Sequence, residues 1–336
     1  MKKILLSGGA GFIGSHIAVE LRNSGFEPIL IDNFSNSERS VAQGISKITG
    51  FEEHIHEYDC RDSSGLLKLT QDIGQIEGII HLAAFKAVGE SVANPLKYYD
   101  NNIGSMVGVL RIAEELNIKN VVFSSSCTVY GSPESKEVKE DLPHLEAYSP
   151  YGVTKQVCER MLEDLSQRIN RAKFVSLRYF NPIGAHPSGL IGELPIGTPN
   201  NLVPYMTQTA AGLRDKLTVY GDNYETPDGT CVRDYIHVSD LALAHVSALD
   251  FAMKKMDSHH EVFNIGTGKG QSVMDIITTF KETNSLDFPV EIGERRPGDV
   301  PSIYANVDKA NSQLGWKAKY SLKDALEHAW KWQTSL

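Results

Sequence analysis

Short apolar runs alternate with helical patterns through the first half of this chain. Ile4–Ser7 reads as a buried strand and Ile13–Asn23 as a helix. Pro28–Ile31, Gly78–Leu82, Asn120–Ser124 and Phe174–Leu177 read as further strands. Helices fall between them, for example around Met106–Leu116 and Gly152–Arg168. The strands are apolar on both faces, so both faces must be covered. Strand–helix alternation of this kind predicts an α/β fold built on a parallel, doubly wound sheet.

From Asn181 onward the pattern loosens. Gly184–Pro204 is rich in Gly and Pro and reads mostly as loop. Asn201–Gly212 becomes helical towards its end, Leu217–Tyr220 reads as a strand, Ser239–Leu249 as a helix and Val262–Gly266 as a strand. Ser321–Trp332 closes the chain as an amphipathic helix, with Ser321 and Asp324 spaced for a capping box. A domain change near residue 180 follows. Residues 1–180 form the doubly wound domain, which parts of 233–266 rejoin, and 181–336 form a smaller mixed α/β domain. The length of 336 residues agrees with two domains.

Net charge is −9, so the molecule as a whole attracts neither nucleic acid nor an acidic membrane. A phosphate-bearing ligand would need a local basic cluster and helix N-termini. Cys60, Cys127, Cys158 and Cys231 are far apart and form no CxxC pair, which points to reduced thiols in a cytosol. The histidines have no metal-ligand spacing, and His259-His260 reads as an exposed turn; no metal is expected. The apolar run before Gly8 is too short for a signal segment, and no later stretch reaches membrane length.

Gly8-Gly9-Ala10-Gly11-Phe12-Ile13-Gly14 follows the first strand and opens the first helix. The glycines permit a tight turn, so backbone N–H groups and the helix N-terminus can approach a pyrophosphate. Asp32 ends the second strand, where a carboxylate bonds ribose hydroxyls and repels a 2′-phosphate. The turn therefore predicts a Rossmann-type site for NAD in preference to NADP. Ser124-Ser125-Ser126 ends another strand, at the edge where open α/β sheets bind ligands. A hydroxyl there can bond a reacting sugar oxygen.

Ser149-Pro150-Tyr151-Gly152-Val153-Thr154-Lys155 starts a helix, with Ser149 as N-cap and Pro150 at the first position. Tyr151 and Lys155 then share one face. The helix dipole and the ammonium favour phenolate, which predicts a lowered phenol pKa. Such a Tyr can take a proton from a sugar hydroxyl while hydride leaves the same carbon. A Tyr and a Lys at this spacing are common on solvated helices; the pair gains meaning jointly with the Gly-rich turn and the serines. Arg233-Asp234-Tyr235 and Arg295-Arg296-Pro297-Gly298-Asp299 supply cations suited to phosphate. Lys86 and Asn101-Asn102 are further polar groups near strand ends or helix starts.

These runs together resemble the extended short-chain dehydrogenase/reductase superfamily, and more closely its UDP-glucose (UDP-galactose) 4-epimerase family. The resemblance covers nearly the whole chain. Gly8–Gly14, Ser124–Gly131 and Tyr151–Lys155 mark the superfamily. Ile31–Asn33, His81–Ser91, Arg178–Pro182, Asn200–Tyr205, Gly229–Val238 and Arg295–Pro301 point to the epimerases.

The resemblance implies reversible interconversion of UDP-galactose and UDP-glucose through a 4-keto sugar on tightly bound NAD. It implies that Tyr151 is the base, Lys155 its tuning cation and nicotinamide-ribose contact, and Ser126 the hydroxyl at the sugar 4-oxygen. Beside Gly8, Gly11 and Gly14, the residues Phe12, Ile13, Asp32, Asn33, Asn36, Ser37, Asp59, Cys60, Leu82, Lys86 and Asn101 would line the NAD site. Tyr179 and Phe180 would border nicotinamide and sugar. Asn181, Asn201, Leu202, Leu217, Tyr220, Arg233, Arg296 and Asp299 would hold the UDP-hexose. A cytoplasmic homodimer through helices near 95–118 and 152–168 is also implied.

Two positions depart from the family pattern. Members that exclude N-acetylated sugars commonly carry Tyr four residues after the Asp equivalent to Asp299; here Ile303 stands there. Ile is smaller than Tyr and larger than the Cys or Ser of UDP-GlcNAc acceptors, so activity on UDP-GlcNAc and UDP-GalNAc stays open. Cys127 replaces the more usual Ala. A nucleotide-sugar 4,6-dehydratase would share fold, NAD and the Tyr/Lys pair but needs a carboxylate pair after the strand-end hydroxyl. Ser126-Cys127-Thr128-Val129-Tyr130 has none. A non-catalytic nucleotide-binding regulator tends to lose the Tyr or Lys, and both are intact.

Overall fold

The computed structural model describes residues 1–169, 172–254, 257, 259–296 and 299–336. Seven parallel strands form the main sheet: β1 (Lys2–Ser7), β2 (Phe26–Asp32), β3 (Ile55–Glu57), β4 (Gly78–His81), β5 (Asn120–Ser126), β7 (Lys173–Tyr179) and β11 (His259–Ile265). Their spatial order is β11-β7-β5-β4-β1-β2-β3. The order reverses between β1 and β4, so a crevice opens beyond the carboxyl ends of these strands. A second sheet holds β6 (Glu137–Val138), β8 (Asn181–Ile183), β10 (Val232–His237), β12 (Gly270–Ser272) and β14 (Ser302–Ala305). β9 (Leu217–Tyr220) pairs with β13 (Val290–Gly293).

The helices are α1 (Phe12–Asn23), α2 (Val41–Thr49), α3 (Ser63–Ile73), α4 (Val88–Ala93), α5 (Pro95–Tyr98), α6 (Gly104–Glu115), α7 (Pro150–Arg168), α8 (Leu202–Ala210), α9 (Val238–Lys254), α10 (Val273–Asn284) and α11 (Leu322–Gln333). Side-chain alternation along β1 shows why its sequence is apolar throughout. Ile4 and Leu6 join a core with residues of α1 and α9, whereas Leu5 joins a second core with residues of α6 and α7. Both faces are covered, as the uninterrupted apolar runs require. A third core, with Val203, Met206, Ile276, Phe280 and Leu326, supports the second half.

Residues 233–266 divide between the halves: β10 belongs to the second sheet, α9 packs on α1, and β11 completes the main sheet beside β7. His259-His260 opens β11 and is not the exposed turn its polarity predicts. The His260 ring is nearly buried, with Nε2 2.8 Å from Ser176 Oγ. A strand partner outweighs local polarity here. The expected capping box at Ser321 and Asp324 forms, and a second one, Ser272 with Asp275, starts α10.

Beneath the end of β5 lies a buried ion pair. Arg178 of β7 donates to Glu159 of α7 at 2.7 Å, and both side chains are almost solvent-free. Ser125 donates to the same carboxylate, and His144 Nε2 lies 3.0 Å from it. Burial alone would raise the Glu159 carboxyl, but the bonds from His144 and Arg178 hold it at about 2. Removing one partner leaves a buried, unpaired charge, so Glu159→Ala should cost about 3–5 kcal/mol in urea unfolding. The folded carboxyl lies below its usual value of 4.5. Its stabilisation is therefore complete above that value and fades as pH falls towards 2, where wild type and variant should converge.

Candidate active site

The Gly-rich turn leaves β1 and enters α1. Gly8 has φ +75°, and a Cβ there would lie 2.9 Å from the Ala83 nitrogen. A Cβ on Gly14 would lie 2.1 Å from the Gly8 carbonyl oxygen. Only glycine fits either place. Gly8 and Gly9 donate to the Ile31 carbonyl at 2.8 and 3.1 Å, which ties the turn to β2. Gly11 is the N-cap of α1 and supplies no side-chain cap, so the first-turn N–H groups stay open to an anion. Phe12 and Ile13 follow directly as the first residues of that helix.

Asp32, at the end of β2, accepts from Ala10 N at 3.0 Å and from Phe34 N and Ser37 Oγ at 2.9 Å. Asn33 Nδ2 donates to Asp59 at 3.2 Å. Hydrogen bonds from Arg61, opposed by burial, hold the Asp59 carboxyl at about 2. The neighbouring Cys60 thiol is pushed up to about 12 by burial and by the Asp59 and Asp32 charges, so it stays neutral. Asn36 is exposed on the loop after β2, while Leu82 packs partly into the core after β4. These groups form one rim around the Gly-rich turn. Open N–H donors, a close-approach turn and a carboxylate beyond it fit a dinucleotide with free ribose hydroxyls.

Asn102, one residue past Asn101, is the buried tie between this rim and α7. It accepts from Phe85 N at 2.8 Å, donates to Phe85 O at 3.0 Å and to Thr154 Oγ1 at 3.1 Å. Asn101 donates to Asn102 at 3.0 Å. Thr154 sits between Tyr151 and Lys155, so the bond fixes their helix against the loop after β4. Ser149 caps α7 by accepting from Gly152 N at 3.2 Å, with Pro150 in the first turn, as its sequence predicts.

Lys155 is buried in the structure. Its Nζ donates to the Ser124 carbonyl at 2.6 Å, lies 4.7 Å from the Phe123 ring centre and 5.8 Å from that of Tyr151. Desolvation lowers the ammonium to about 8. Tyr151 is buried too, and desolvation, reinforced by Tyr179, pushes its phenol well above 10; a hydrogen bond with Ser126 opposes the shift. The predicted lowering of the phenol is therefore corrected. The dipole and the lysine act at a distance, whereas loss of water acts directly, and it is larger here. Ser126 Oγ accepts from Thr128 N at 3.2 Å, while its own proton is directed at the Tyr151 oxygen.

Tyr179 lies next to Tyr151, and burial raises its phenol to about 12. Phe180 is buried, and its N–H donates to Ile265 O at 3.3 Å. Asn181 begins β8 opposite Tyr235 of β10. Asn201 is the N-cap of α8 without a capping bond; its amide donates instead to Glu193 at 2.8 Å. The N–H groups of Leu202 and its successor are thereby left for another acceptor.

Arg296 donates to Asp299 at 2.9 Å, and Arg233 lies 3.6 Å from the same carboxylate. Arg296 also stands 5.1 Å from the centre of the half-exposed Tyr220 ring. Two guanidiniums and an aromatic face thus converge. Arg295 turns away, stacking on Tyr224 at 4.1 Å and donating to Asn223. Pro297 and Gly298 of this run lie outside the described residues. The Leu217 side chain belongs to the third core with Val203 and Met206, so its side chain faces inward. Ile303, beside Arg233 in register, is 6% exposed and clusters with Phe180 and Cys127.

Lys86 pairs with Glu193 at 2.9 Å. Sequence reasoning missed Glu193: it lies in an aperiodic loop and carries no motif. Among the described residues no cluster of His, Cys, Asp and Glu could hold a metal, and no helix is long and apolar enough to cross a membrane.

Residues 5–329 match the family model described as GDP-mannose 4,6 dehydratase. The UDP-glucose 4-epimerase of Bacillus subtilis (strain 168) is 46% identical over 332 residues, which cover 99% of this chain and 97% of that protein. The crystal structure of a UDP-glucose-4-epimerase from Stenotrophomonas maltophila, with bound NAD and formylated UDP-arabinopyranose, has a TM-score of 0.96. It is 43% identical and covers 100% of this chain and 98% of its own. The UDP-Glc/GlcNAc 4-epimerase of Campylobacter jejuni is similar at a TM-score of 0.85 and 34% identity, with 100% of both chains covered.

The Gly14 clash gives a direct test of the turn. Gly14→Ala must displace the Gly8 carbonyl, so bound NAD per purified chain should fall about tenfold or more. Release of the dinucleotide on heat denaturation and its absorbance measure this. Wild-type NAD content in the variant would refute the assignment of the turn.

Proposed function

The chain belongs to the UDP-glucose 4-epimerase family of extended short-chain dehydrogenase/reductases, and from that premise we infer that it interconverts UDP-galactose and UDP-glucose. The observation that carries this reading is the buried Tyr151, Lys155 and Ser126 cluster at the carboxyl end of β5, on the same edge of the sheet as a turn built for a dinucleotide.

NAD, when bound, supplies a hydride acceptor that is regenerated in each turnover. The chain's own residues do the rest. Tyr151 removes the proton of the C4 hydroxyl as the C4 hydrogen departs as hydride. Ser126 donates a hydrogen bond to the 4-oxygen and orients it. The 4-keto sugar turns about its bond to the diphosphate, hydride returns to the opposite face, and Tyr151 gives back the proton. Lys155 supplies positive charge that favours the phenolate through space. Arg233 and Arg296 grip the diphosphate, and Asn181, Asn201, Leu202, Tyr220 and Asp299 complete the nucleotide-sugar side. The hexose is held loosely enough to turn.

The dehydratase alternative is disfavoured because Cys127 and Thr128 follow Ser126 where that chemistry needs carboxylates. A second substrate class is supported by Ile303. Its side chain packs beside Phe180 and Cys127 and is smaller than the tyrosine common in members that exclude N-acetylated sugars. The Campylobacter jejuni neighbour is a UDP-Glc/GlcNAc 4-epimerase by name. We place the protein in the cytoplasm as a homodimer through α6 and α7, which light scattering at twice 37.1 kDa would establish.

Proton NMR of the purified protein with UDP-galactose, without added NAD, tests the main reading. An equilibrium mixture with UDP-glucose is expected. UDP-GlcNAc in the same assay tests the Ile303 reading. Tyr151→Phe should lower turnover by about 100-fold or more while NAD stays bound; retained turnover would remove Tyr151 from its role.

The ammonium at Lys155 titrates near pH 8, charged below and neutral above. Its charge favours phenolate, so kcat should decline as pH rises through about 8. Lys155→Arg keeps its charge and should lose that alkaline limb. An unchanged limb in the variant would show that another group titrates.

A further inference from the structure

Glu193 stands where the NAD side and the nucleotide-sugar side of the cleft meet. One oxygen, Oε1, accepts from Lys86 Nζ at 2.9 Å and from Asn201 Nδ2 at 2.8 Å. Lys86 follows β4 of the first half, and Asn201 caps α8 of the second. The Glu193 side chain is 13% exposed.

Its main chain is clamped from both halves. Trp332 of α11 donates through Nε1 to the Glu193 carbonyl at 3.0 Å. Gly192 lies flat under the same indole, where a Cβ would come within 2.4 Å of the ring. The Leu190 carbonyl presses on Gly44 of α2, where a Cβ would sit 2.4 Å away. The Ala185–Gly192 bridge and the bond from His186 N to Ile191 O at 3.0 Å close the loop on itself.

A carboxylate beside two anion sites repels both ligands, so attraction does not explain it. Orientation does. Because Asn201 Nδ2 is bound to a carboxylate, its Oδ1 faces away and its side chain leaves the α8 N-terminus uncapped. The open N–H groups are then available to a diphosphate. On the other side the same oxygen fixes the Lys86 ammonium, which is carried by the loop after β4 that passes close to the Gly-rich turn.

Resting on the epimerase reading, we propose that Glu193 is a positioning residue that couples the two ligands. By holding Lys86 and Asn201 in one hydrogen-bonded unit, it makes retention of NAD and grip on the nucleotide diphosphate depend on each other. Coupling of this kind is reciprocal: UDP tightens NAD by the factor by which NAD tightens UDP.

The test uses the purified holoenzyme, with UDP as probe. NAD loss after dilution is followed with and without saturating UDP, in wild type, Glu193→Ala and Glu193→Gln. UDP should slow NAD loss from wild type by about fivefold or more. The ratio should fall to about one in Glu193→Ala and lie between in Glu193→Gln, which keeps an acceptor oxygen without the charge. Merely local loosening would speed NAD loss equally with and without UDP and would leave the ratio intact. A wild-type ratio of one, or the same ratio in Glu193→Ala as in wild type, overturns the proposal. Should Glu193→Ala not fold, Glu193→Gln carries the comparison, and an unreduced ratio there overturns it. UDP-galactose turnover is read in parallel on wild type. Its absence counts against the epimerase reading, whereas an active enzyme with a UDP-independent NAD loss overturns the bridge alone.

Discussion

A lysine ammonium buried against the end of a parallel strand is the constraint from which the rest of the site follows. Lys155 has exchanged water for one carbonyl, Ser124 O at 2.6 Å, and the face of Phe123. Desolvation of a cation is costly, and only a fixed acceptor at that distance makes the arrangement tenable. The helix carrying Lys155 must therefore stay in register with β5 to within a fraction of an ångström. Three buried ties keep it there. Asn102 joins Thr154 to the loop after β4, Glu159 joins Arg178 of β7 and Ser125 of β5, and Ser149 fixes the helix start. None of them touches the reacting carbon. Together they place Tyr151, Lys155 and Ser126 around one point.

The same burial moves the two groups proposed as catalytic apart in pKa. The phenol is raised above its ordinary value and the ammonium is lowered to about 8. Each group is thereby pushed towards its neutral form, and the charged forms are favoured only when the two occur together. A base that is unfavourable alone and supported by a neighbouring cation is suited to taking a proton in concert with hydride departure. To accept that proton it must first be ionised, so the neighbouring ammonium has to offset part of the desolvation. That reading replaces the simpler one, in which dipole and lysine alone would lower the phenol.

Legibility in the sequence followed the range of the interactions. The strands of the main sheet other than β3, the Gly-rich turn and the cap of α7 were readable because each depends on residues within a few positions. Gly14 is obligatory for a contact inside the turn and Gly8 for its positive φ, although a Cβ at Gly8 would also strike Ala83 of the loop after β4. β3, β6, β8, β10, β12, β13 and β14 were not found; all but β10 have four residues or fewer, and each exists through partners far away in the chain. His259-His260 misled for the same reason: polar rings predict solvent, and the pairing of β11 with β7 overrides them. Glu193 was invisible because its loop has no period, and its meaning lies in Lys86, 107 residues earlier. The fall of Leu217 into the core likewise depends on neighbours from α8 that strand alternation alone cannot assign to a side.

An acidic protein that must hold two anionic ligands faces a conflict between its overall field and its local sites. The net charge of −9 repels a diphosphate at long range. Beyond about 10 Å that field is screened at ordinary ionic strength, so what decides binding is the disposition of a few groups. In the function proposed above those groups are the open helix N-termini at α1 and α8 and the guanidiniums of Arg233 and Arg296, with Asp299 between them. Asp299 serves the arrangement by holding two like charges close together without a ligand's help. It also fixes the planes of the guanidiniums, so that an arriving diphosphate meets oriented donors in place of mobile side chains. The proposed grip is therefore strongest on the phosphates, and on the sugar it is confined to the 4-oxygen at Tyr151 and Ser126. Turning a keto sugar over inside a closed site requires that asymmetry: fixed charge at one end of the substrate and few polar contacts at the other, where Ile303 and Phe180 belong to one apolar cluster.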